Sequence, residues 1–205
     1  MRLSNFEKII IALILSIAFL FVKPLFMHNY SGPDNLPAPI QTNLKKTEYI
    51  TIKDSKEKNK EIKVELVAKY EVTAGVRGRR NYTSDYSAKI SPMDLILAWG
   101  DLNQPEIIDL VDYKQSGRWY YYRIKSNSEL TYGHIGNNSS NTHIIPANDE
   151  VLKKLDSINE NSFVEISGYL VNVIFKDGSW SSSLSRTDTG NGACEILLVE
   201  EVNVH

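Results

Sequence analysis

The chain has 205 residues, 42% hydrophobic and 23% charged, with a formal net charge of -2. Its mean hydropathy is -0.28 and its pI about 6.1. These values exclude a polytopic membrane protein, a collagen, a mostly disordered chain and a disulfide-stapled miniprotein, and they give nucleic acid no electrostatic case as the main partner.

Ile9 to Val22 form an apolar run preceded by Arg2 and Lys8. At about 1.5 Å per residue the run spans roughly 21 Å, and carrying it on to Met27 gives roughly 28 Å against a bilayer core of about 30 Å. The basic flank favours a cytoplasmic N-terminus. A cleaved signal is the rival reading, since Ser16 and Ala18 make a small-x-small pair. A cut there would leave Phe19 to Val22 as a greasy new terminus. The expectation is an uncleaved signal anchor over residues 1–28, single-pass in the cell membrane, with the body extracytoplasmic.

Residues 29–60 read as an extended linker, with Gly32, Pro33, Pro37 and Pro39 among polar residues. Glu48 to Lys53 is a short β-like piece within it. Asp54 to Lys60 is a mixed-charge stretch, a solvated loop rather than a lipid-headgroup patch, because acids are interspersed.

The globular domain spans 61–205. Ile62 to Ala68 partly alternates and reads as a strand, and β-favouring residues continue it to Val76. Arg77-Gly78-Arg79-Arg80 is the sharpest basic cluster, a possible phosphate or headgroup site against the plainer reading of a strand end with paired arginines. Ser91-Pro92-Met93-Asp94 carries a helix-start pattern, with Leu95 to Trp99 as its apolar face and Gly100 as its stop. Gln104 to Val111 suggests a second short helix. Arg118 to Ile124 is a strand bearing aromatics on both faces. Asn148 caps a helix that places Val151, Leu152, Leu155 and Ile158 on one side. Val164, Ile166, Leu170 and Ile174 share a strand face interrupted by Gly168, a bulge or tight curl. Asp177-Gly178 marks a hairpin, Ser181 to Arg186 its return strand, and Cys194 to Val202 the last strand. The fold class expected is strand-rich α+β: an N-terminal transmembrane helix, then a small OB-like curled sheet or barrel with two or three inserted helices.

Four segments carry a resemblance: Ser91 to Gly100 (SPMDLILAWG), Gln115 to Tyr120 (QSGRWY), Ser140 to Ala147 (SNTHIIPA) and Ser182 to Glu195 (SSLSRTDTGNGACE). Over roughly residues 70 to 200 the chain resembles an uncharacterised family of bacterial membrane-anchored or exported domains. The resemblance implies a hydrophobic N-terminal segment and a single extracytoplasmic domain. It implies no activity.

The chain has one cysteine, Cys194, in an apolar stretch. One thiol builds neither an internal disulfide nor a cysteine-rich zinc site, and it reads as a small core residue rather than a nucleophile. His134 and His143 bracket a polar loop and are candidate metal ligands with Asp188 or Glu195, although their spacing lacks the register of a helical pair. Asp188 and Glu195 are also candidates for paired carboxylates in glycan cleavage. No nucleotide-binding glycine motif, nucleophile elbow or His-Glu-x-x-His pattern occurs.

Arg118 to Arg123 interleaves bases with Trp119, Tyr120, Tyr121 and Tyr122, a composition suited to stacking on sugars, peptides or bases. The leading expectation is a non-catalytic, membrane-tethered binding or scaffold module of the cell envelope, docking an envelope protein or polymer. It needs no cofactor and binds through Trp119, Tyr120, Tyr121, Tyr122, His143, Arg186 and Asp188. The alternative is an envelope hydrolase, metal-assisted or not, using His134, His143, Asp188 and Glu195.

Overall fold

The computed structural model describes residues 30–55, 60–125, 129–185, 187, 188, 190 and 192–205. Strands dominate it: β1 (Ile40–Lys53), β2 (Glu61–Asn81), β3 (Met93–Ala98), β4 (Val111–Ser116), β5 (Trp119–Ile124), β6 (Ser139–Pro146), β7 (Phe163–Phe175), β8 (Gly178–Ser181) and β9 (Ile196–Val204). Three short α-helices interrupt them: α1 (Pro105–Ile108), α2 (Tyr132–Asn137) and α3 (Asp149–Asp156). Among the described residues no helix is long and apolar enough to cross a membrane. The anchor expected over 1–28 lies outside the described residues, as do residues 56–59 of the mixed-charge loop.

β2 organises the rest. Ile62, Val64, Leu66, Ala68, Tyr70, Val72, Ala74 and Val76 are all buried, a period of two that puts one face of the strand inward. Along its length β2 pairs with β1 on one edge and β7 on the other, and past Gly75 it pairs with β3. β3 pairs with β6, β6 with β9 and β9 with β7. The pairings run β2-β3-β6-β9-β7 and return to β2, so five strands close a circuit, with β1 and β8 added outside it. Only β6–β9 is parallel among these pairings.

Closure needs sharp local curvature. The β7–β9 register shifts between Ser167 and Gly168, and a Cβ at Gly168 would overlap the Leu198 carbonyl oxygen. The curl expected at that glycine is therefore present. The circuit encloses Tyr70, Leu95, Leu97, Ile144, Ile166, Leu170 and Leu197, and α3 plugs the assembly with Val151 and Leu155. The Asn148 side chain accepts hydrogen bonds from the Glu150 and Val151 amides, and acids at the start of α3 with lysines at its end complement the helix dipole. The 176–177 turn joins β7 to β8 as the Asp-Gly signal indicates.

Four local expectations change. The return strand of the hairpin is Gly178–Ser181, and residues 182–185 do not continue it. Ser91 to Trp99 does not form a helix: Met93–Ala98 is a strand buried on both faces. Met93, Leu95 and Leu97 enter the barrel core, while Asp94 and Ala98 face an inserted hairpin. A strand covered on both sides needs a continuous apolar run, which periodicity alone does not separate from a buried helix. Residues 40–53, placed in the linker with only Glu48 to Lys53 read as β-like, form the single strand β1, and the chain is already docked before it. Leu36 is buried and bridges Gly100, and the Arg77 guanidinium lies 4.7 Å over the Tyr30 ring. Finally, the last strand begins at Ile196, and Cys194 is half-buried outside it.

Candidate functional site

Between β3 and β6 the chain inserts α1, α2 and the β4–β5 hairpin. The hairpin turns through Gly117 and Arg118, at φ of 59° and 73°. Both central residues of a two-residue turn with this twist need positive φ. Arginine holds that conformation at a cost of about 1 kcal/mol. Its side chain offsets the cost. Arg118 Nη1 donates to Asp94 Oδ1 at 2.6 Å and Nη2 donates to Asp85 at 3.0 Å and to the Ser91 carbonyl at 2.8 Å. The guanidinium also lies 3.7 Å over the Tyr82 ring.

Further polar contacts fix the hairpin across the outer face of β3 and β6. Gln115 Nε2 donates to Asn141 Oδ1 at 2.8 Å, and Asn141 Nδ2 donates to the Arg118 carbonyl at 3.1 Å. Arg80 donates to the Gln115 carbonyl at 2.6 Å, and the Tyr120 hydroxyl donates to the Ser139 carbonyl at 3.2 Å. Beneath the hairpin a small apolar cluster of Ala98, Leu102, Val111 and Ile135 completes the contact.

The hairpin stops short of covering the whole face. A cavity of about 440 Å³ remains between β5, α2, the start of β6 and the described residues of the glycine-rich turn before β9. One wall is aromatic. Tyr120 and Tyr122 share a face of β5 with ring centroids 5.4 Å apart, and Tyr132 of α2 stands 6.0 Å from Tyr122. Trp119 sits at the rim, 37% exposed. The other walls are polar, with Asn137, Ser140, Asn141, Thr187, Asp188 and Glu195. The backbone of α2 makes room for this packing, since a Cβ at Gly136 would stand 2.9 Å from the Tyr122 hydroxyl.

The electrostatics follow from burial. The Cys194 thiol lines the cavity and is pushed up to about 12, first by burial and then by the nearby Glu195 charge. It is protonated at neutral pH and is no ready nucleophile. Burial also pushes the Tyr120 hydroxyl upward, against the pull of its hydrogen bond to Ser139. Tyr113, on β4 of the hairpin, rises to about 12 for the same first reason. Asp188 Oδ2 accepts a 2.7 Å hydrogen bond from the Ser183 hydroxyl, which places the carboxylate within the turn.

The fold thus brings Trp119, Tyr120, Tyr122, Asp188, Cys194 and Glu195 to one cavity. Tyr121 is 56% exposed and outside the lining. Arg186 lies outside the described residues. His143 is buried, with Nδ1 2.9 Å from Asp94 Oδ1 and its ring 4.7 Å from Trp180. It backs the Arg118–Asp94 pair. On α2, His134 Nε2 is 2.7 Å from Asp101 Oδ1. The two histidines therefore face different carboxylates, and the described residues contain no group of three or more His, Cys, Asp or Glu arranged to hold a metal ion.

The arginine cluster is dispersed as well. Arg77 is buried and donates to Asn103, Arg79 pairs with Asp156 at 3.0 Å, and Arg80 holds the hairpin. Sequence reasoning missed Tyr132 and Asn137, which lie in α2 between the aromatic strand and β6. The available signal was Thr131, whose hydroxyl accepts from the His134 amide and caps the helix. Comparison with protein families, curated proteins and solved structures finds no match to this chain.

Proposed function

We propose that this protein is a non-catalytic binding module of the cell envelope, built on an OB-like barrel and tethered to the membrane by residues 9–27. Its N-terminus is cytoplasmic and its body extracytoplasmic. The observation that carries the binding part is the cavity where the aromatic strand, β6 and the glycine-rich turn meet. The connectivity supports the architecture. Five strands close in the order β2-β3-β6-β9-β7, the third and fifth in chain order run parallel, and α3 connects the third to the fourth. OB-folds bind ligands on the face of their second and third strands and in the flanking loops. Here that face is β3–β6, and the hairpin covers most of it. The cavity is the part left open, so a ligand enters beside the hairpin and meets Trp119, Tyr122 and Asp188. Its partner is an envelope protein or polymer.

A photo-crosslinking residue at Trp119 in the full chain, compared in the producing cells with one at Tyr49 on β1, tests the site. An adduct specific to position 119 is the expected outcome. No adduct, or the same adducts at both positions, overturns the reading. Protease protection in membrane vesicles tests the tether: a body digested only after the cytoplasmic side is opened refutes the orientation.

A second reading has its own observation: Asp188 and Glu195 line the same cavity. Paired carboxylates beside stacked aromatics are the equipment of glycan hydrolysis. Shorter products from an oligosaccharide, lost in Glu195→Gln, would replace the binding module with an envelope hydrolase. The histidines take no part in this version, because His134 and His143 are engaged by Asp101 and Asp94.

A further inference from the structure

We infer that the cavity takes a neutral saccharide ring, as one unit of a glycan chain threaded beside the hairpin; this rests on the binding-module reading above. A sugar ring is amphipathic, with a C–H face that stacks on aromatics and an edge of hydroxyls that needs hydrogen-bond partners. The cavity is divided the same way. Tyr122 and Tyr132 stand at a 30° interplanar angle, and Trp119 is exposed at the rim. Across from them lie Asn137, Thr187 and Asp188. Asn137 is exposed and has no side-chain hydrogen bond among the described residues, so its amide is available to a ligand. Only one oxygen of Asp188 is taken by Ser183.

Charge argues against the other ligands an aromatic cavity serves. No lysine, arginine or histidine occurs among the described lining residues, and an anionic ligand would meet carboxylates. An organic cation would use the rings and Asp188 but would leave the neutral hydrogen-bonding groups idle. The volume, about 440 Å³, suits a small ligand or a short segment of a longer one. The Cys194 thiol is pushed up first by burial and then by the carboxylate charges of Glu195, Asp94 and Asp188, in keeping with a cavity unwelcoming to anions.

The test is calorimetric titration of the full chain with maltotriose, cellotriose and N-acetylchitotriose, beside choline and adenosine monophosphate as charged comparators. At least one trisaccharide is expected to bind saturably. Tyr122→Ala should weaken that binding roughly 10-fold, and Tyr122→Phe, which keeps the ring, should restore it. Asn137→Ala, on an exposed position that leaves the fold intact, should weaken it about 5-fold. Trisaccharide binding unchanged in both alanine variants overturns the proposal. So does choline or the nucleotide binding while all three sugars stay silent, although the binding-module reading then survives. Silence from every probe overturns both.

Discussion

The barrel and the β4–β5 hairpin are held by different physics. The barrel is cohesive because apolar side chains leave water: Leu95, Leu97, Ile144, Leu170 and Leu197 are at most 1% exposed. The hairpin alternates exposed and half-buried residues along β5 and rests on the barrel through charged and amide hydrogen bonds. Hydrophobic packing is non-directional and tolerates small shifts. Hydrogen-bonded ion pairs are directional and fix a register. The cavity lies along the seam, so its shape is set by the polar attachment while its existence depends on the apolar one.

The contrast is sharpest at full burial. Leu97→Ala should cost about 2–5 kcal/mol of global stability, read from denaturant unfolding, because the packed interior cannot close over the space. Next comes the ion pair. Arg118→Ala should cost about 3 kcal/mol, since it leaves Asp94 at 0% exposure with only His143 and a long 3.4 Å hydrogen bond from the Asn141 amide beside it. Pairing it with Asp94→Leu should recover most of that loss, and hydrogen exchange should place the single variant's damage in residues 111–124 before the barrel. If Arg118→Ala instead loosens the barrel uniformly, the two regions are one cooperative unit and the contrast fails.

A smaller effect is expected at Gln115. Its change to alanine removes the bond to Asn141, and a loss of about 1 kcal/mol confined to hairpin protection is the expected reading. Acid should act on the same attachment. Burial raises the Asp85 pKa, but hydrogen bonds from Arg118 and Ser87 and the guanidinium charge outweigh it and hold the carboxyl below the ordinary 3.8. The ionised form therefore favours the folded state. That contribution is complete above the ordinary value and drains away as pH falls below it. Between about pH 6 and pH 3 the stability gap between wild type and Asp85→Asn should narrow. The smallest effect belongs to Arg123, whose 2.8 Å pair with Asp112 is solvent-exposed. Arg123→Ala should leave unfolding unchanged, and a measurable loss would show that the hairpin uses surface charge as well.

The sequence was most readable where one residue type has one local use. Gly168 marked the curl, Asp177-Gly178 the hairpin and Asn148 the cap, and each signal acts within a few residues. It misled where tertiary cover decided the outcome. Leu95 to Ala98 is apolar on both faces because the hairpin lies over one of them, and the hairpin begins only at Val111, outside the window a local periodicity spans. In β1 the β-like signal covers only Glu48 to Lys53, and the pairing with β2 extends the strand back to Ile40 through mostly exposed, polar residues. The site was half visible. Trp119, Tyr120, Tyr122, Asp188 and Glu195 stood out by type, but nothing local joins position 122 to position 195. His143 stood out as well, and the structure buries it because Asp94 is its cross-strand partner in β3.

The parallel contact between β6 and β9 has a consequence for the order of assembly. Residues 143–146 wait for 196–199, so this pairing closes a long loop. Contacts distant in sequence form late and slow a domain's folding. Asp188, Cys194 and Glu195 lie just ahead of that last strand, so the acidic wall of the cavity takes shape only when the circuit shuts. On the ribosome the aromatic wall emerges first, and the cavity is complete only once the last strand docks.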